Sequence, residues 1–331
     1  MCTYLSIKCN KYERKILRIF FIITIFIAQL LAVSSANKFK VDSEILDMIL
    51  KNNTLYVSTA SGVVELFDIT TKKQRRLLKL KPLINFFDEE YDAKIYSIDV
   101  NKNGDLLLLA EASGGKRRIL IYKDGKLEKI SSENCRKPYK EARFVGVNKI
   151  LLVTLSNEVS LYDVKKKETI YSHPLSTYSF SDFALNKDLA AITGESGDVY
   201  IFDYEKNKVI NTLSGANKDN IYSIDYRQNT ILTAGQDRVV GLYNVQTKKY
   251  KKVKTDFLVY ACALSNDAGR SAYLSNEDSQ IKVIDNESLE LLAELNGHKS
   301  TVNRIIFVTN THILSSSDDG EILEWVLDSK K

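Results

Sequence analysis

His298, Ser315 and Asp319 bring a base, a hydroxyl and a carboxylate close together in sequence, the residue types that acyl transfer needs for attack. The chain offers little else of that kind. Its other two histidines, His173 and His312, are expected singly in a loop and a turn. Four cysteines show no paired metal-ligand spacing, and no Gly-rich phosphate loop or strand-borne nucleophile elbow occurs. Whether the set acts chemically depends on the element that holds it.

That element reads as three short strands. Val302, Ile305 and Phe307 mark the first, Ile313-Leu314-Ser315 begins the second, and residues 322–326 form the third. A tight hairpin at residues 317–320 joins the last two. The ending Trp325-Val326 recurs as Phe67-Asp68, Tyr122-Lys123, Tyr162-Asp163, Phe202-Asp203, Tyr243-Asn244 and Ile284-Asp285. The intervals are 55, 40, 40, 41, 41 and 41 residues. A period of about 40–45 residues is that of a four-stranded propeller blade. First strands at residues 95–100, 221–226 and 302–307 each carry apolar residues at positions one, four and six. Third strands such as 199–202 are continuously apolar, as suits strands covered on both faces. The spacing predicts an all-β, seven-bladed β-propeller.

The final copy, with Gly297-His298 at its front, Asp319 in its hairpin and Trp325 near its end, resembles a blade of the WD-repeat family. Val326 stands where that family has Asp. The resemblance implies that His298, Ser315, Asp319 and Trp325 form a hydrogen-bonded structural tetrad and not a catalytic set. Equivalent hairpins carry Asp237 and Asp278, or Ser61, Ser156 and Ser196, side chains that cap tight turns.

The N-terminus departs from the repeat. Lys8, Lys11, Arg14, Lys15 and Arg18 precede an apolar run over residues 19–33, then Ser34-Ser35-Ala36. This fits a cleavable signal peptide over residues 1–36, with the propeller over 37–331 and a periplasmic destination. Cleavage would lower the net charge from +5 to +1 by removing five basic residues and one acidic one. That speaks against nucleic-acid binding, and no stable membrane insertion is expected afterwards. Residues 37–41 are expected to close the ring as the outer strand of the last blade, because the chain continues only briefly past Trp325. Cys135 and Cys262 are expected as free thiols.

Function is expected in the departures from regularity. Residues 81–94 lengthen the connection into the second blade, and Phe86 and Phe87 there precede Asp88, Glu89 and Glu90. This reads either as a partner-docking element or as a loop folded back over a blade edge. Basic turns, Lys165, Lys166 and Lys167 among them, are expected on one side of the disc, and acidic hairpins on the other. The whole reads as a monomeric, non-enzymatic scaffold for protein partners, with no cofactor and no metal. An exported, degenerate propeller of this length also resembles the accessory family of periplasmic nitrate reductase systems. That resemblance implies partners in the reductase system and a role in its maturation or electron supply. The alternatives are an outer-membrane assembly propeller and an enzyme of the quinoprotein type.

Overall fold

The computed structural model describes residues 32–130 and 137–328. Cys135 and most of the expected signal segment therefore lie outside the described residues. Seven sheets, each built on a four-stranded antiparallel core, follow one another as the blades of a β-propeller. Blade 1 comprises Ile45–Lys51, Thr54–Thr59, Val63–Asp68 and Gln74–Lys79, from inner to outer strand. Blades 2 to 6 repeat the pattern over 95–129, 139–174, 180–213, 221–254 and 262–295. Blade 7 takes Val302–Phe307, His312–Ser317 and Glu321–Val326 from the end of the chain and its outer strand, Asn37–Lys40, from near the beginning. No helix among the described residues is long and apolar enough to cross a membrane.

The recurring pairs sit where the period puts them, since third strands end at Asp68, Lys123, Asp163, Asp203, Asn244, Asp285 and Val326. Their continuous apolarity has a packing cause. In blade 2, Leu107, Leu109, Ile119 and Ile121 pack against Ala142, Phe144 and Leu152 of blade 3. The alternate residues Leu106, Leu108 and Leu120 pack against Val64 and Leu66 of blade 1. Successive side chains on one strand thus serve opposite neighbours, and both faces are dry. Outer strands such as Gln74–Lys79 have one buried neighbour at most and are largely exposed.

The polar member of each recurring pair works locally. Asp68 Oδ1 accepts from the Thr70 and Thr71 amides, Asp163 Oδ1 from Lys166, Asp203 Oδ1 from Lys206, and Asp285 Oδ1 from Glu287 and Ser288. These bonds hold a turn containing one left-handed residue, such as Lys72, Lys167 or Leu289. Blade 2 has Lys123 instead. Its turn is Asp124-Gly125, both at positive φ, the two-residue hairpin form that needs no cap.

The seam closes as the sequence predicts. Asn37 pairs with Glu324 and Lys40 with Glu321. Phe39 is buried with its ring 5.1 Å from that of Phe67 in blade 1. Lys38 pairs with Glu321, while Lys72 and His312 converge on Glu324. The crossing chain passes so close to Gly320 (φ +79°) that a Cβ there would lie 2.6 Å from the carbonyl oxygens of Val41 and Ser43. Gly320→Ala is expected to cost about 2 kcal/mol, read as a lower urea midpoint at unchanged m-value.

Candidate interaction surfaces and the axial network

The long connection into blade 2 forms a small hairpin of Leu83–Ile84 and Glu90–Tyr91. Its turn is tightly held. Asn85 Oδ1 accepts from the amides of Phe87 (2.8 Å) and Glu89 (3.0 Å), the Asn85 amide donates to Glu89 O (2.9 Å), and Asp88 takes φ +60°. Leu83 is buried against blades 1 and 2 and anchors the base. At the tip, Phe86 is 95% exposed and Phe87 78%, their rings in edge-to-face contact at 5.9 Å. Neither ring folds back over a blade edge. Asp88, Glu89 and Glu90 follow directly, so an apolar tip with an acidic flank stands out from the disc.

The four residues expected as a tetrad come together in blade 7, with a fifth between them. Trp325 Nε1 donates to Ser315 Oγ (2.8 Å), and Ser315 Oγ lies 2.7 Å from His298 Nε2. His298 Nδ1 lies 2.9 Å from Ser317 Oγ, which donates to Asp319 Oδ1 at 2.6 Å. Indole can only donate and an ionised carboxylate only accept, so the direction of the whole chain is fixed. Ser315 donates to Nε2, and Nδ1–H donates to Ser317. Burial pushes the His298 imidazole down to about 4, against the nearby carboxylates of Glu321 and Asp319, and keeps it neutral. Ser315 is fully buried with its proton already committed, so this set has no nucleophile to present. Ser317 escapes a sequence reading guided by the family's four positions, because it is one of three consecutive serines.

The propeller axis carries polar chemistry that the sequence reading missed. Inner strands are the free inner edges of their sheets, and their unpaired amides need acceptors. Side chains of the preceding blade supply them. Asp47 Oδ2 accepts from Ile98 N (3.0 Å), Asp99 Oδ2 from Phe144 N (2.6 Å), Asp182 Oδ2 from Ile224 N (2.9 Å) and Asp225 Oδ2 from Leu264 N (2.9 Å). Two guanidinium groups from other blades converge on Asp47. Arg143 reaches Asp47 and Glu141, each at 2.8 Å, and Arg304 lies 3.5 Å from Asp47. Burial would depress Arg143, but Asp47, Glu141 and Asp99 outweigh it and hold the guanidinium above its usual range. Burial pushes Glu141 up to about 8 despite Arg143. An open axial cavity of about 850 Å³ runs from this layer to the hairpins that follow the inner strands, where Lys51, Lys102 and Arg227 line its mouth. Among the described residues no His/Cys/Asp/Glu group is arranged to hold a metal.

The basic turns lie on the same side as that mouth, because first hairpins and outer turns share a side in a four-stranded meander. Their charge is partly paired. Lys167 meets Glu128 (2.7 Å), Lys166 meets Glu168 (3.6 Å), and Lys206 meets Asp203 (2.7 Å). The Phe86–Phe87 hairpin stands on the opposite side. Cys262 is buried, and burial pushes its thiol well up, so it packs as a small apolar group.

Residues 289–325, the outer turn of blade 6 through Trp325, match the family model for the WD domain, G-beta repeat. The last blade is a WD repeat. Relatives carrying such repeats extend the likeness beyond that WD blade. A WD repeat-containing protein 55 homolog from Dictyostelium discoideum is 22% identical over 71% of this chain and 58% of its own length. A WD repeat domain-containing protein 83 from Rattus norvegicus is 28% identical over 37% of the chain and 39% of its own length. The chain thus spans less than two thirds of these relatives. Both are eukaryotic proteins, and neither carries a nitrate reductase description.

Proposed function

We propose that the protein is a non-enzymatic interaction scaffold whose docking element is the Phe86–Phe87 hairpin. One observation carries this reading: a turn fixed by bonds to Asn85 holds two adjacent phenylalanine rings in water. Covering such a side chain gains about 1.5–3 kcal/mol, which the isolated fold forgoes here. Large, rigid aromatic anchors of this kind dominate the energetics of protein interfaces. The family likeness of the WD blade agrees with a binding role, since propellers carry specificity in their loops.

In its finer form the proposal places the scaffold in a periplasm, serving nitrate reductase maturation or electron supply. The basic, apolar and small-residue succession of residues 1–36 and the architectural resemblance support that form. The eukaryotic relatives lend it no support. The experiment is affinity capture by tagged protein from its own host, grown with and without nitrate, alongside the Phe86→Ser/Phe87→Ser variant. The expected result is recovery of a defined partner, at least tenfold reduced in the variant, with an unchanged melting temperature. Reduced stability with undiminished capture would refute the docking role. Recovery of partners unrelated to nitrate reduction would leave the scaffold standing and remove the finer form.

A further inference from the structure

We propose that the outer edge of blade 6, Leu291–Leu295, is a peptide-docking edge that accepts an extended segment of a partner protein in parallel. Six blades are four-stranded, whereas the sheet of blade 6 has five strands. The fifth is Ala32–Val33, with Ala32 opposite Glu294 and Val33 opposite Leu295. It is the only parallel pairing among the described residues; a meander makes antiparallel neighbours, so this strand is an addition and not a continuation.

The edge is built to receive such an addition. Ala293 and Leu295 are buried in the apolar cluster shared with blade 7, and Val33 packs against that cluster. The seated pair asks little of its side chains: Ala32 is exposed and Val33 half-buried. Recognition therefore rests on the backbone ladder plus one branched apolar residue, the arrangement of strand addition at a sheet edge. The Ala36 amide then donates to Glu324 O at 2.7 Å, where the chain begins its course along blade 7. Two neighbouring edges are thus covered by one crossing segment, through separate contacts. Processing after Ala36 would vacate blade 6 and leave Asn37–Lys40 on blade 7. The occupant then fitting the open edge is an extended partner segment bearing a small residue followed by a β-branched one.

The test uses the full chain and a fluorescent synthetic peptide with the sequence of residues 28–36. In the Ala32→Pro/Val33→Pro variant the chain's own segment can no longer donate to the ladder, because proline has no amide hydrogen. The expected result is saturable binding of the probe at least tenfold tighter to this variant than to the unaltered chain. Amide exchange should slow within residues 291–295. A probe N-methylated at both the alanine and the valine matching 32 and 33 should bind at least tenfold more weakly. Equal binding of the methylated probe, protection elsewhere, or no saturable binding would overturn the proposal. Because only the probe or the residues preceding the closing strand change, a folding defect cannot mimic these outcomes. The docking role of Phe86 and Phe87 stands or falls separately.

Discussion

Replacing Asp47 by alanine is expected to destabilise the protein by about 3–5 kcal/mol, the range for removing one partner of a buried ion pair. Asp47 is 1% exposed and has four polar neighbours to satisfy. Its Oδ1 accepts from its neighbour's amide, Met48 N (3.0 Å), and faces Arg304; its Oδ2 accepts from Ile98 N and Arg143 Nη1. Alanine leaves the inner-strand amide of blade 2 without its acceptor and two guanidinium groups short of one anion. Asp47→Asn keeps one acceptor oxygen and loses the charge, so it should lose less than Asp47→Ala. Urea unfolding at pH 7, read as the change in midpoint at constant m-value, decides the matter. Phe86→Ser serves as the control and should fall within about 0.5 kcal/mol of the parent. A loss below 1 kcal/mol for Asp47→Ala would mean that the axial layer is not holding the ring.

The propeller was legible because its strongest constraint repeats. A third strand covered on both faces must be apolar at successive positions, and a turn of fixed geometry must follow it. Endings such as Phe202-Asp203 and Ile284-Asp285 therefore return at nearly constant spacing. The seam was legible from an unpaired requirement, an outer strand missing at one end and an unassigned segment near the other. The axial layer was harder to see. Its members are separated by tens of residues and differ in type: Asp47, Ser97, Glu141, Asp182, Ser223 and Arg304 occupy one position of the inner strands of blades 1 to 5 and 7. Each satisfies a local need, an orphan amide or an opposing charge, and no repeated letter results. The signal was nonetheless present in segments such as Ile95–Val100, where Ser97 and Asp99 alternate with residues bound for the core. The two readings of residues 81–94 could not be separated by composition. Whether Phe86 turns in or out is decided by the bonds of Asn85 to the turn, a matter of geometry.

Acid should weaken the protein through His298, with a defined sign and window. In the unfolded chain an imidazole titrates near 6.5, whereas in blade 7 burial holds His298 down to about 4. Between these values the unfolded state binds a proton that the folded state refuses, so stability falls as pH falls. The contribution is fully present above pH 6.5 and lost by about pH 4, a change of about 3 kcal/mol for a shift of this size. The cause is specific. Protonation at Nε2 would remove the acceptor of the Ser315 hydroxyl, leaving that buried proton to find another partner while the oxygen took a second donor beside Trp325. Glu321 and Asp319 favour the cation and Lys38 opposes it, but burial outweighs them all. Glu141 acts in the opposite sense: with its carboxyl held up to about 8, it adds stability as pH falls through that region. The measurement is therefore the difference in unfolding free energy between the parent and His298→Gln, followed from pH 7.5 to pH 4. The parent's advantage should shrink steadily below pH 6.5. A constant difference across that range would show that His298 titrates normally in the folded blade, and that the one-way hydrogen-bond chain from Trp325 to Asp319 does not fix its tautomer.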